Sequence, residues 1–387
     1  FADALFEMIS GFTTTGATVV SDVEGLTKGS LFWRSFSHWI GGMGVLVFLL
    51  AIVPMAGGSH MNLMKAESPG PSVGKLVPKV RQTAKYLYII YFALTMIEVI
   101  FLLFGGMNLF EALTTSFGTA GTGGFAIWND GFVSVSPYNQ WVVTIFMLLF
   151  GVNFGFYFLI LTGKLRDALK FEEVRIYFII VIAAAVFIFI NLRHFALYAP
   201  AEGIRQAFFQ VASIITTTGF ASADFNLWPE TSRTILVLLM FIGACAGSTG
   251  GGIKVSRFII ACKSFIKEII SYLHPRSVKK IKIEGKPLEH ETLRATNVYF
   301  MTYMVIFAVS VLLVSIENKD LVTNFAAVAA TFNNIGPGLS LVGPMANFGH
   351  FTDFTKYILM FDMLAGRLEI FPMMLLFCPA VWKRRRA

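Results

Sequence analysis

The sequence predicts an all-α integral membrane protein built from four repeats, each with a long helix, a short helix and a second long helix. The first observation behind this prediction is composition: of 387 residues, 56% are hydrophobic and only 14% are charged, and the mean hydropathy is +0.69. No ordinary soluble domain of this size is so apolar. The other two observations are apolar stretches long enough to cross a bilayer and a motif that recurs four times.

Long apolar stretches predict the membrane-spanning helices. A hydrocarbon core of roughly 30 Å is crossed by about 20 helical residues, a length reached by residues 86–106, 141–163 and 298–316. Counting along the whole chain predicts seven full spans and four short segments, with residue 1 outside the cell. Because the chain starts at Phe1 without a basic segment before an apolar run, we expect neither a signal peptide nor a true N-terminus here.

Positive charge predicts the orientation. Assigning alternate connections to alternate sides places 23 of the 31 Lys and Arg residues on one face, in clusters between Lys65 and Lys85 and in residues 164–175, 254–294 and 383–386. Such residues concentrate on the cytoplasmic side of polytopic proteins. We therefore predict that this face and the C-terminus are cytoplasmic, and that the net charge of +8 does not indicate a nucleic-acid partner.

No set of side chains indicates catalysis. The six histidines are scattered without metal-ligand spacing, and no nucleophile lies beside a candidate base. Cys245, Cys262 and Cys378 lie in or beside apolar helices, so we interpret them as packing residues without a disulfide framework. A membrane-embedded enzyme would need clustered titratable residues, which are missing. The sequence therefore predicts a protein that is not an enzyme and has no covalent cofactor.

The recurring motif is a short apolar-rich segment that leads into a Thr-, Asn- or Gly-rich tripeptide ending in glycine. The copies are ALFEMISGFTTTGA (4–17), ALTTSFGTAGTGGF (112–125), AFFQVASIITTTGF (207–220) and NFAAVAATFNNIGP (324–337). Their glycines are Gly16, Gly124, Gly219 and Gly336. The implied repeats cover residues 1–60, 61–165, 166–285 and 286–387, and the first lacks its first helix.

A short helix that ends inside a membrane leaves its last backbone carbonyls unsatisfied and carries partial negative charge at that end. One isolated copy would be interpreted as a helix C-cap with glycine. Four copies in phase instead favour loops arranged around a central pore, where carbonyl oxygens replace the hydration shell of a cation. The predicted selectivity filter consists of Thr14, Thr15, Gly16, Thr122, Gly123, Gly124, Thr217, Thr218, Gly219, Asn334, Ile335 and Gly336.

These motifs, together with GACAGSTGGGIK (243–254), resemble the Trk/Ktr/HKT superfamily of cation transporters over the whole chain, and most closely the TrkH family of the bacterial Trk system. The resemblance implies a potassium-translocating subunit of the cytoplasmic (inner) membrane that carries K⁺, and also Rb⁺, through the filter. It further implies a homodimer and a cytosolic, TrkA-like nucleotide-binding regulatory ring on the basic face. The second copy departs from the pattern, since it reads GTGG where the first and third read TTTG. The fourth copy, NNIG, resembles the usual divergent copy of the family.

A break in the third repeat predicts a gate. The apolar run from Thr234 to Gly247 is too short to span a membrane and ends in a glycine-rich segment, where transporter helices commonly unwind. A phosphate-binding loop is disfavoured because the spacing misses the GxxxxGK[ST] pattern, and simple helix kinking remains an alternative. The predicted gating loop, 243–252, contains Gly247, Ser248, Thr249, Gly250, Gly251 and Gly252. Lys254 and Arg257 are expected to mark the cytoplasmic exit.

Arg367 is the only strongly basic side chain predicted inside a span. Intramembrane charges are costly and usually face a cavity or a partner. One interpretation pairs Arg367 with Glu369 or Asp362. The other, which the resemblance implies, places it in the pore below the filter as part of the gate. Glu98, also inside a span, is expected to form a hydrogen bond between helices.

Two transport mechanisms fit these features. The first is channel-like K⁺ uptake, gated from the cytoplasm by the regulatory partner. The alternative is an H⁺- or Na⁺-coupled secondary cation transporter, for which acidic residues are expected near the filter. None of the four loops contains an acid. A single glycine per loop predicts modest selectivity for K⁺ over Na⁺.

Overall fold

The computed structural model describes residues 1–44, 80–274 and 280–379. The predicted boundary between repeats at residues 60 and 61, most of the basic cluster between Lys65 and Lys85, and the basic residues 383–386 lie outside the described residues. Within them, the chain is mostly helical, with only one short pair of strands.

The first helices of repeats 2 to 4 are long and apolar. They are α3 (Val80–Phe104), α8 (Glu172–His194) and α12 (His290–Val314). Each contains a stretch apolar and long enough to cross a bilayer, with a mean hydropathy of 2.2 to 2.5. About two thirds of each stretch is not buried in the protein, which leaves it available to lipid.

The short helices occupy the positions predicted from the repeated motif. They are α1 (Ala2–Phe12), α4 (Leu109–Gly121), α9 (Pro200–Ile215) and α13 (Leu321–Phe332). Two have strong N-terminal caps, because the Asn108 side chain accepts from Glu111 N and the Asp320 side chain accepts from Thr323 N. The C-terminal halves of α4, α9 and α13 are buried, so these ends lie inside the protein.

The second helices are shorter than predicted. Their ranges are Lys28–Met43 (α2), Pro137–Phe150 with Phe154–Leu161 (α5 and α6), Glu230–Met240 with Val255–Leu273 (α10 and α11), and Asp353–Arg367 with Ile370–Leu375 (α14 and α15). The prediction of one continuous helix over 141–163 is wrong, since α5 and α6 meet at 89°. Among the described residues, three helices, or four with this bent pair, satisfy the length and hydropathy of a span, not seven.

The break in the third repeat is confirmed, but it begins earlier than predicted. Helix α10 ends at Met240, and α11 begins at Val255. Residues 241–254, here called the interrupting loop, therefore contain the whole predicted segment 243–252.

The remaining elements connect the repeats. Helix α7 (Leu165–Ala168) precedes α8, and a small antiparallel pair, β1 (Lys282–Ile283) and β2 (Lys286–Pro287), lies between α11 and α12. Short 3₁₀ turns follow α9, α12 and α13 at Phe225–Leu227, Ser315–Glu317 and Ser340–Val342.

Packing between repeats is cyclic. Each first helix packs on the short helix of its own repeat, as in α3 on α4, α8 on α9 and α12 on α13. Each second helix packs on the short helix of the next repeat: α2 on α4, α5 on α9, α10 on α13, and α14 back on α1. The four repeats therefore close a ring, with the short helices directed toward its interior.

Candidate functional site

The four tripeptides at the ends of the short helices share one backbone conformation. The first residue of each has a positive φ: Thr14 at 54°, Thr122 at 55°, Thr217 at 60° and Asn334 at 55°. The final glycine of each also has a positive φ: Gly16 at 78°, Gly124 at 79°, Gly219 at 81° and Gly336 at 94°. Residues other than glycine rarely adopt such angles. The four copies are thus geometrically equivalent although their side chains differ.

The tripeptides also touch one another in order. A Cβ atom added to each glycine would meet the carbonyl oxygen of the middle residue in a neighbouring tripeptide. The distances are 2.0 Å from Gly16 to Gly123 O, 2.2 Å from Gly124 to Thr218 O, 1.9 Å from Gly219 to Ile335 O, and 2.7 Å from Gly336 to Thr15 O. The contacts run through all four repeats and return to the first. The structure therefore brings together all twelve predicted filter residues in what we call the loop ring (14–16, 122–124, 217–219 and 334–336).

Hydrogen bonds between side chains also stabilise the loop ring. The hydroxyls of Thr13 and Thr15 share a hydrogen bond of 2.8 Å, and repeat 3 has the same pair in Thr216 and Thr218, also at 2.8 Å. In repeat 4, the Asn334 amide donates to Thr15 Oγ1 at 3.0 Å, and so joins the fourth tripeptide to the first. Threonine and asparagine therefore hold the loops through their side chains, while the backbone forms the ring.

The glycines of the second copy make room for His38. A Cβ on Gly123 would lie 2.1 Å from the His38 ring, and one on Gly121 would lie 2.2 Å from His38 O. The buried ring connects repeats, because Nε2 accepts from Phe125 N at 3.2 Å while Nδ1 donates to Gly11 O at 2.8 Å. In GTGG, the His38 ring and backbone carbonyl therefore occupy the space that side chains at positions 123 and 121 would need. Sequence reasoning missed His38, because a single histidine does not by itself indicate such a packing role.

This contact predicts a coupled effect on stability. Gly123→Ala should destabilise the protein by about 1–3 kcal/mol, because overpacking a close-packed site displaces its neighbours. His38→Ala should also destabilise it, since two buried backbone groups lose their partner. The double variant should lose less than the sum of the two, because the alanine methyl then enters vacated space. Thermal unfolding of the four purified proteins measures this, and strictly additive losses would contradict it.

A cavity of about 130 Å³ opens on one side of the ring, lined by residues of all four repeats. Its rim contains Asn129, whose amide donates to Asp22 at 2.9 Å. This bond and one from Gly25 N hold the pKa of the exposed Asp22 carboxyl below its usual value. A negative charge therefore lies beside this cavity.

A buried ion pair supports the first tripeptide from this side. Glu7 and Arg34 lie 2.8 Å apart, and Glu7 also accepts from Thr18 Oγ1 at 2.9 Å and from Val19 N at 3.2 Å. Gln210, at the matching position of repeat 3, contacts the matching segment. Sequence reasoning missed this pair. Its signal was a glutamate inside an apolar short helix, nine residues before Gly16.

On the opposite side, the interrupting loop lies directly against the ring. Thr249 O accepts from the Thr122 hydroxyl at 2.9 Å, and Gly251 N donates to the Thr217 hydroxyl at 2.6 Å. The loop also fills the break between α5 and α6, where Phe154 N donates to Gly247 O at 2.9 Å. Its backbone is therefore satisfied by protein groups, as irregular structure at membrane depth requires.

The predicted gate residues share this loop. The Ser248 hydroxyl donates to Cys245 O at 2.6 Å, and Gly247 and Gly252 have positive φ of 67° and 70°. Gly250 O accepts from the buried Lys254 ammonium. The glycines thus permit the sharp reversals of a loop folded back beneath the ring.

Lys254 and Arg257, which were predicted to mark the cytoplasmic exit, are both buried. Lys254 is fully buried, and Arg257 is only 7% exposed. Arg257 pairs with Glu369 at 2.7 Å and stacks on Tyr299 at 3.8 Å from the ring centroid. A buried cation needs a partner. Lys254 finds it within the loop, and Arg257 finds it in Glu369 at the break between α14 and α15.

Arg367 connects the loop to the first repeat. Its guanidinium donates to Thr249 O at 2.7 Å and to Gly41 O and Gly42 O at 2.5 and 2.9 Å. The two carboxylates considered as its partners have other contacts, Glu369 with Arg257 and Asp362 with the Ser310 hydroxyl at 2.7 Å. A cavity of about 210 Å³ lies beside the arginine. Arg367 therefore acts as a clamp among repeats 1, 3 and 4.

Glu98 is fully buried in α3 beside Thr119 of α4. The Thr119 hydroxyl donates to Thr115 O at 3.0 Å within its own helix. Neither carboxylate oxygen of Glu98 has a hydrogen-bond partner among the described residues, so the predicted hydrogen bond between helices is not formed in this structure.

Comparison with known proteins agrees with this architecture. The family model described as "TrkH: Cation transport protein" matches residues 1–384. The Trk system potassium uptake protein TrkH of Escherichia coli K12 is 39% identical over 390 residues, an alignment that covers 98% of this chain and 79% of the relative. TrkG of the same strain is 33% identical over 389 residues, covering 99% and 79%.

A solved structure gives the same result for the fold. The crystal structure of the potassium transporter TrkH from Vibrio parahaemolyticus superposes with a TM-score of 0.86 at 35% identity. The match covers 99% of this chain and 79% of that chain. On the sequence, the cyclic packing of its four repeats and these matches, the chain belongs to the TrkH family of cation transport proteins.

Proposed function

We propose that the protein takes up K⁺ across the bacterial cytoplasmic membrane through the loop ring, which acts as its selectivity filter. The observation that carries this proposal is the closed contact of four equivalent tripeptides, each with the same two positive φ angles. Repeated backbone geometry around one axis is how carbonyl oxygens replace the hydration shell of a cation. The same ring is expected to accept Rb⁺.

The interrupting loop and Arg367 would form the gate. The loop lies directly beneath the ring and binds Thr122 and Thr217, and the guanidinium adds a positive charge there. Both features oppose passage of a cation in the structure described. To open the pore, the loop would have to move away from the ring. The cavity beside Arg367 provides room for this movement.

Regulation is proposed to act from the basic face. We place the C-terminus in the cytoplasm, following the excess of Lys and Arg on that side. A TrkA-like nucleotide-binding ring would dock there, close to the connection between α11 and α12. A homodimer embedded in membrane lipid is the proposed assembly.

Deleting several residues within 244–250 tests the gate. Shortening the loop should raise Rb⁺ tracer flux into proteoliposomes and make flux less dependent on the regulatory partner, because the obstruction below the ring is removed. Competition by Na⁺ in the same assay measures selectivity, which should be unchanged. Background flux from a folded, dimeric variant would favour a purely structural break.

The alternative function is coupled transport, and the observation in its favour is a pair of buried carboxyl groups. Glu98 in α3 and Asp362 in α14 are both fully buried. In liposomes clamped at zero membrane potential, an imposed pH or Na⁺ gradient would drive Rb⁺ uptake by a coupled transporter. The proposed channel should show no such uptake.

A further inference from the structure

A single carboxylate oxygen links the first half of the interrupting loop to the start of α11. Glu173 lies in the first turn of α8 and is 7% exposed. Its Oε1 accepts from Ala246 N at 2.7 Å and from Ser256 N at 2.9 Å. Ala246 is in the first half of the loop, and Ser256 is the second residue of α11, so one atom fixes both sides of the loop.

The position suits an anionic side chain. The first N–H groups of a helix have no partner within the helix, and its N-terminus favours negative charge. Glu173 satisfies one such group of α11, whose preceding residue, Lys254, has a φ of 81° and provides no side-chain cap.

The other contacts of the loop hold its opposite side. Thr249 O accepts from the ring and from Arg367, and Gly251 N donates to the ring. Ala246 N and Ser256 N donate to Glu173 instead. The loop is thus held between the ring and α8. We propose that Glu173 is the positioning residue that keeps the interrupting loop seated beneath the ring.

Cys245 reports whether the loop is seated. It adjoins Ala246, is fully buried, and donates its N–H to Gly151 O at 3.0 Å. In a background carrying Cys262→Ser and Cys378→Ser, Cys245 is the only remaining thiol. Its rate of reaction with a maleimide, measured on the full chain in nanodiscs, then follows exposure of the loop.

Glu173→Ala should speed Cys245 labelling by about tenfold or more, since both hydrogen bonds to Glu173 are lost and two buried N–H groups are left without a partner. Glu173→Gln should stay near the parent rate, because its amide oxygen can still accept from both N–H groups. Glu173→Asp keeps the carboxyl group but withdraws its oxygens by one methylene, so it should resemble alanine. It also provides the test if Glu173→Ala does not fold.

Glu172→Gln is the matched control. The adjacent Glu172 carboxylate binds Lys263 at 2.6 Å rather than the loop, so its loss should leave Cys245 labelling unchanged. Equal labelling of parent, Glu173→Ala and Glu173→Asp would overturn the proposal, as would a Glu173→Gln variant as reactive as alanine.

The consequence of this inference for transport rests on the proposed gate. A measurement of Rb⁺ flux distinguishes the inference from the gate. Glu173→Ala should raise Rb⁺ flux without changing the K⁺/Na⁺ ratio, since the ring is untouched. Faster labelling with parental flux would support Glu173 as the anchor and refute the loop as a gate.

Discussion

Replacing Gly219 with serine should sharply reduce discrimination between K⁺ and Na⁺. Gly219 has a φ of 81°, and a Cβ atom would lie 1.9 Å from Ile335 O in the next tripeptide. The left-handed conformation alone costs an L-residue about 1–2 kcal/mol, and the contact forces the neighbouring carbonyl to move. A fall in the permeability ratio on the order of tenfold corresponds to only about 1.4 kcal/mol of differential binding.

The measurement is the K⁺/Na⁺ permeability ratio of purified protein in planar bilayers or liposomes. Gly106→Ser is the matched control, because Gly106 has a φ of 86° but nothing within 4 Å of its added Cβ. It imposes similar backbone strain without touching the ring, so its ratio should remain that of the parent. An unchanged ratio in Gly219→Ser would refute the filter assignment.

Arg367→Ala should increase K⁺ flux and leave selectivity nearly unchanged. A fixed positive charge about 4 Å from a permeating cation repels it by roughly 4 kcal/mol at an effective dielectric constant near 20. The guanidinium also holds Thr249 O and two carbonyls of α2, so its removal frees the loop as well. Both effects lower the barrier below the ring.

Arg367→Lys should give a flux nearer to that of the parent, since the charge remains but one ammonium cannot reproduce the planar, multiple contact. Arg193→Ala is the control, because Arg193 also donates to a backbone carbonyl, Tyr198 O at 3.1 Å, but is exposed at the far end of α8. If the alanine and lysine variants at 367 both conduct like the parent, Arg367 lies outside the ion path.

The repeated architecture could be predicted because its signals are local. Glycine after a Thr- or Asn-rich pair marks a backbone that only a few residue types adopt, and the pattern recurs at every short helix. The arrangement of four loops around one pore was predicted, but the individual contacts between glycines and carbonyl groups were not, since they join residues up to 321 positions apart, as Thr15 and Gly336 do.

The helix breaks were harder to predict than the ring. At the break between α5 and α6, residues 150–154, only one glycine and one asparagine interrupt a long apolar run. The polar backbone groups there bind the interrupting loop of another repeat, which the local sequence does not reveal. A weaker signal exists in the alignment of the four repeats. Gly44, Lys254 and Glu369 occupy matching places and share φ of 80°, 81° and 69°. In this alignment Arg367 stands where the other repeats have glycine.

One chain supplies all four quarters of the loop ring, and this has an evolutionary consequence. In a pore assembled from four identical subunits, any substitution appears four times at once, so every quarter must tolerate it together. Tandem duplication removes that constraint and lets each copy drift separately. The second copy has glycine on either side of Thr122, where His38 packs, and the fourth has gained asparagines, yet the main-chain course survives in both. Selection on such a pore would therefore act on backbone shape, while the side chains behind it diverge copy by copy.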